Sequence, residues 1–67
     1  MRSFWLDRFR VGRQVRYVGT EELLYLRCGR IIYRGYNSEY ADVDFEFPGF
    51  VPYTKVYSVR TTDLELV

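Results

Sequence analysis

Period-two alternation is the strongest pattern along the chain. From Ala41 to Phe47 the apolar residues Ala41, Val43, Phe45 and Phe47 alternate with Asp42, Asp44 and Glu46. Successive side chains of a strand point to opposite faces, so this segment predicts a strand with one buried and one wet face. Pro48 and Gly49 end it. Upstream, VGRQVRYVG places Val11, Val15 and Tyr17 at period-two spacing up to Gly19, which predicts a first strand. RIIYRGY is rich in β-branched and aromatic residues and predicts a strand over about 30–36, followed by turn chemistry at Asn37 and Ser38. YTKVYSVR predicts a strand over 53–60, TTD a tight helical turn, and LELV a last short strand.

Two stretches break the strand pattern. Residues 20–28, TEELLYLRC, mix helix formers with a short span bounded by Gly19 and Gly29. They are expected to form a long loop anchored by Leu24 and Leu26. Residues 1–10, MRSFWLDRFR, form a separate segment in which Ser3 is placed to cap a short helix over 4–9, with Trp5 and Phe9 spaced i,i+4. So short a helix is unstable alone and has to dock on something. Five short strands separated by turns predict an all-β barrel or sandwich over 11–67.

Size narrows the ways such a domain is stabilised. Sixty-seven residues suffice for one small core. The single cysteine, Cys28, precludes an internal disulfide, and with no histidine it cannot build a zinc site. Packing remains, and aromatics supply 19% of the residues for it. A dimer is the other route, so a monomer or weak homodimer is expected. No apolar run approaches the roughly 20 residues that span a bilayer. A lone thiol without an export signal favours the cytoplasm.

Charge is near balance overall, at +1, but unevenly placed. Residues 1–20 carry Arg2, Arg8, Arg10, Arg13 and Arg16 against Asp7, whereas 37–50 carry Glu39, Asp42, Asp44 and Glu46 with no base.

The order VGRQVRYVG, a loop, CGRIIY, ADVDFEF and VYSVRTTDLELV resembles the SH3-like barrel family in its small bacterial and phage-type forms. Gly29 and Ile31 match the glycine and aliphatic positions of KOW-type domains in that family. The resemblance covers residues 11–67 and implies a small five-stranded SH3-like barrel, with residues 1–10 outside it. It further implies a binding module. Domains of this architecture commonly present an aromatic groove between the first long loop and a later turn. Here that places Tyr17, Tyr25, Tyr53 and Tyr57 as candidates.

No residue pattern points to catalysis. General acid–base work lacks a histidine, and no base stands in sequence beside Cys28, which reads as a small buried hydrophobe. Asp42, Asp44 and Glu46 read as a solvated strand face, because they lack the bent loop of a calcium site. The expectation is therefore no catalytic residue, no metal and no cofactor.

Two binding readings remain open. Trp5, Arg8 and Arg10 with Tyr17, Tyr25, Tyr53 and Tyr57 have the residue types that dominate protein interfaces. On that reading the chain is an adaptor or regulator docking on a larger protein, by analogy a phage-type accessory of transcription or translation. The alternative is an RNA- or DNA-binding barrel using Arg10, Arg13, Arg16 and Arg30, since arginines interleaved with aromatics contact phosphates and stack on bases. A basic stripe free of acids favours nucleic acid; an exposed aromatic patch favours protein. With no metal ligand set in the sequence, thermal melting is expected to be unchanged by chelator, calcium or zinc. A shift of several degrees with any of them contradicts this.

Overall fold

The structure, a computed structural model, describes residues 8–35 and 39–67. They form one five-stranded antiparallel sheet: β1 (Gln14–Tyr17), β2 (Cys28–Arg34), β3 (Tyr40–Phe47), β4 (Tyr53–Arg60) and β5 (Leu64–Leu66). A 3-10 turn over Thr61–Asp63 joins β4 to β5. The spatial order is β4-β3-β2-β1-β5. No pairing joins the two outer strands among the described residues, so the sheet is open.

The strand β3 follows the alternation of its sequence. Ala41, Val43, Phe45 and Phe47 are all at most 5% exposed, while Asp42 and Asp44 are half-buried and Glu46 is exposed. Phe45 is the largest fully buried side chain. Tyr17 meets it edge-on, with ring centroids 6.2 Å apart at 85°, and Tyr57 packs at 6.3 Å. Val15, Ile31, Val59 and Leu64 close the core from the other four strands, and Leu24 closes it from the loop after β1.

Pairing extends this face across the sheet. Gly29 of β2 lies between Val15 of β1 and Phe45 of β3. A Cβ on Gly29 would stand 2.7 Å from the Asp44 carbonyl oxygen and 2.8 Å from Val43 Cγ1. Only glycine lets β2 approach β3 this closely. Beyond Ile31 the β2–β3 register shifts, leaving Ile32 as an extra residue. Bulges of this kind bend a strand and increase its twist.

Three expectations are corrected here. The first strand begins at Gln14 rather than Val11. The Arg13 N–H donates to the Arg10 carbonyl at 3.1 Å, closing a turn with Gly12 in its third position at φ 96°. That left-handed position turns Val11 out to 58% exposure. The strand expected over 30–36 runs from Cys28 to Arg34, because Cys28 and Gly29 already pair with β1. Leu24 anchors the loop, but Leu26 is 53% exposed. The turn at Asn37–Ser38 and most of the N-terminal helix fall outside the described residues. Phe9, at the end of that segment, is half-buried against the core.

Phe45→Ala is expected to cost about 3–5 kcal/mol, comparable to the whole stability of a small domain. Gly29→Ala is expected to cost about 1–3 kcal/mol by forcing β2 from β3. Asp44→Ala is expected to stay within about 0.5 kcal/mol. Urea denaturation of the three variants checks the order, and a stable Phe45→Ala variant contradicts it.

Candidate functional site

Residues 18–27, between β1 and β2, shape the surface beside the core. The loop runs back toward its own origin: the Leu26 N–H donates to the Tyr17 carbonyl at 2.8 Å, and the Tyr17 N–H to the Arg27 carbonyl at 2.9 Å. The Arg27 N–H closes a turn on the Leu24 carbonyl at 2.9 Å. Leu26, third in that turn, has φ 63°, a left-handed conformation usually given to glycine or asparagine. The result is a division of labour between neighbours. Leu24 plugs the core, while Tyr25 and Leu26 are held in solvent at 56% and 53% exposure.

Among the described residues, clefts lie on both sides of this loop. The first, of about 700 Å³, lies between the loop and the β3–β4 hairpin and is lined by Tyr25, Arg27, Phe47, Pro48, Pro52 and Tyr53 among others. Its wall is a layered contact. Phe47 and Tyr53 stack with centroids 5.2 Å apart and planes within 8°. The Arg27 guanidinium lies over the Phe47 ring, 4.4 Å from its centroid, and its Nε donates to the Leu23 carbonyl at 2.9 Å. Between the two prolines the hairpin tip carries Phe50, wholly exposed, and Val51, 74% exposed. The second cleft, of about 440 Å³, lies on the other side of the loop, lined by Tyr17, Leu23, Tyr40, Tyr57, Arg60 and Asp63 among others.

The four tyrosines expected in one groove are therefore split. Tyr25 and Tyr53 share the first cleft; Tyr17 and Tyr57 share the second. The Tyr17 ring is a core residue at 4% exposure, and its hydroxyl accepts from the Glu21 N–H at 3.2 Å. Tyr57 is half-buried, with Lys55 Nζ 5.6 Å from its ring centre. Trp5 lies outside the described residues. Arg8 is exposed, 5.8 Å from the centre of the Phe9 ring, and Arg10 is exposed at the turn before β1.

The arginines of the nucleic-acid reading are interleaved with acids. Arg16 forks onto Glu65 of β5, with Nε donating at 2.7 Å. The hydrogen bond to Glu65, reinforced by its charge, raises the Arg16 pKa above the ordinary value. Arg30 is paired across the strands with Asp44 and donates through Nη1 to the Gly12 carbonyl at 2.8 Å. Arg13 is half-buried and donates its backbone N–H to Arg10. These residues therefore do not form an acid-free stripe.

Arg27 and Phe47 line the first cleft, Phe50 projects from the hairpin tip beside it, and none of the three was legible as a site residue. Phe47 reads from its sequence as core, which it also is. Phe50 carried a signal, an apolar residue in the charge-free run FPGFVPY. Among the described residues no three histidine, cysteine or carboxylate side chains converge as a metal site, and no helix is long and apolar enough to cross a membrane. Comparison with protein families, with curated proteins and with solved structures returned no match.

The left-handed Leu26 sets a testable order. An L-residue there costs about 1–2 kcal/mol, against the roughly 0.5–1 kcal/mol entropic cost of glycine. Leu26→Gly is expected to raise the urea midpoint slightly, and Leu26→Val, β-branched at positive φ, to lower it. A Leu26→Gly protein less stable than Leu26→Val contradicts the turn.

Proposed function

We propose that this chain is a non-enzymatic protein-binding module of SH3-like barrel architecture, an adaptor or regulator that docks through the first cleft. The observation that carries the reading is the apolar end of the molecule. Tyr25, Leu26, Phe50, Val51 and Tyr53 are each more than half exposed, on the loop and hairpin that flank one cleft. Leaving large apolar groups in water is unfavourable, and a cluster of them marks an interaction surface. Tyrosine, phenylalanine and arginine are also the residue types enriched at interfaces.

Support for the barrel comes from connectivity. The order β4-β3-β2-β1-β5, a long first loop and a 3-10 turn before the last strand follow the connectivity of SH3-like barrels. The protein reading is preferred to nucleic acid because Arg16 and Arg30 stand beside Glu65 and Asp44. A phosphate approaching them meets carboxylates as well as guanidinium groups.

Phe50 is fully exposed, so Phe50→Ala is expected to leave the melting temperature unchanged. In a nuclease-treated pull-down from the native host, the same change is expected to weaken partner capture at least about thirtyfold, the equivalent of a ~2 kcal/mol hot spot. Salt is expected to slow association more than it lowers affinity. If nuclease abolishes capture, and affinity falls steeply with salt and with Arg13→Ala, the ligand is nucleic acid and the reading fails.

A further inference from the structure

We propose that the outer edge of β4 takes an acidic, extended segment of the partner protein as a sixth strand. The inference rests on the protein-binding reading and names how that partner is held.

Among the described residues β4 ends the sheet, paired on one side only, with β3, over eight consecutive positions from Tyr53 to Arg60. The Thr61 N–H donates to the Glu39 carbonyl at 2.8 Å, which makes that facing pair a hydrogen-bonded one. Antiparallel ladders alternate. Residues 53, 55, 57 and 59 therefore bond to β3, and Thr54, Val56, Ser58 and Arg60 turn their N–H and carbonyl groups outward. Among the described residues no backbone group bonds those of Thr54, Val56 and Ser58. Within the strand there is no proline and no register break, two of the usual guards of an edge. The opposite edge, β5, is only three residues long.

Charge selects the occupant. The strand β4 carries Lys55 and Arg60 and no acid. A second copy adding its own β4 brings the same bases and no carboxylate, whereas an acidic segment is complementary. The alternation of side chains adds a pattern. Lys55 faces the side of Phe45 and stands near Tyr57, while Val56, 46% exposed, faces the side of Asp44. An added strand lies about 4.8 Å beyond β4, so its carboxylates are favoured on the Lys55 side. The Val56 side ends in Arg60, which lies over the Tyr40 ring, but along Thr54–Ser58 carboxylates would approach the row Asp42, Asp44 and Glu46, so aliphatic residues belong there. The segment that fits alternates acidic and aliphatic residues.

The test uses the whole chain and two capped octapeptides, one alternating Glu and Val, the other Lys and Val. The Glu–Val peptide is expected to bind saturably, at least tenfold tighter than the Lys–Val peptide, and to slow amide exchange at Thr54, Val56 and Ser58. Val56→Pro removes an outward N–H without touching the β3 ladder and is expected to weaken binding at least tenfold. Lys55→Glu changes no backbone group and is expected to reverse the peptide preference, which keeps the test decisive if the proline variant does not fold. Equal binding of both peptides, no binding of either, or no added exchange protection overturns the proposal. So does a wild-type dimer in sedimentation that Val56→Pro dissolves, which assigns the edge to a second copy. Phe50→Ala is expected to leave peptide binding unchanged. Failure of strand addition with Phe50-dependent partner capture intact sinks this inference alone; loss of that dependence sinks the protein-binding reading.

Discussion

Burial of one face of β3 is the constraint on which the rest of this small sheet depends. A chain of this length has apolar area for a single core, and the four inward residues of β3 supply its centre. Every other strand adds at least one buried residue to the core that contains Phe45. Val15 and Ile31 cover it from β1 and β2, with Gly29 permitting the close approach of the backbones. Tyr17 gives it an edge-on ring, and Leu64 enters after the 3-10 turn. A one-residue slip of β3 would exchange this set for three carboxylates, so the register has no near competitor.

The same economy explains the surface. The core takes Val59 from the second half of β4, but the first half buries no side chain, and Tyr53 to Val56 stay exposed. The β3–β4 hairpin projects Phe50 and Val51 past the core, and Phe47 is covered by Tyr53 of β4 and by Arg27 of the loop. The loop after β1 gives one leucine to the core and holds its next two residues in solvent. Cleft, hairpin tip and free edge are three consequences of one core too small to cover its own sheet.

Electrostatics follows the pairing more than the composition. The basic N-terminal third and the acidic β3 look like separate blocks in the sequence. In the sheet Arg30 is paired across from Asp44, while Arg16 turns to Glu65 on β5. Both side chains of that last pair are more than 40% exposed, so it orders the β1–β5 seam more than it stabilises it. At the edge, β4 carries Lys55 and Arg60, whose cross-strand partners Phe45 and Tyr40 are not acids.

Local patterning determined the inward set of β3, the span of β4, the turn at Thr61–Asp63 and the all-β class, because period-two alternation and turn chemistry act within a few residues. Leu24 was legible as an anchor for the same reason. Tertiary structure decided what depends on contacts distant in sequence. Gly12, whose N–H donates to the Ile31 carbonyl of β2 at 2.8 Å, sits at a positive φ that turns Val11 out of the first strand. Leu26 points outward because Tyr17 and Leu24 capture the backbone on either side of it. Tyr17, Tyr25, Tyr53 and Tyr57 look alike in sequence, yet the strand order sends two to each cleft and buries one ring. Which arginine keeps its charge free is set by cross-strand register, a pairing between residues tens of positions apart. A tyrosine or an arginine has no fixed preference for core or surface, so only the packed sheet assigns each one its side.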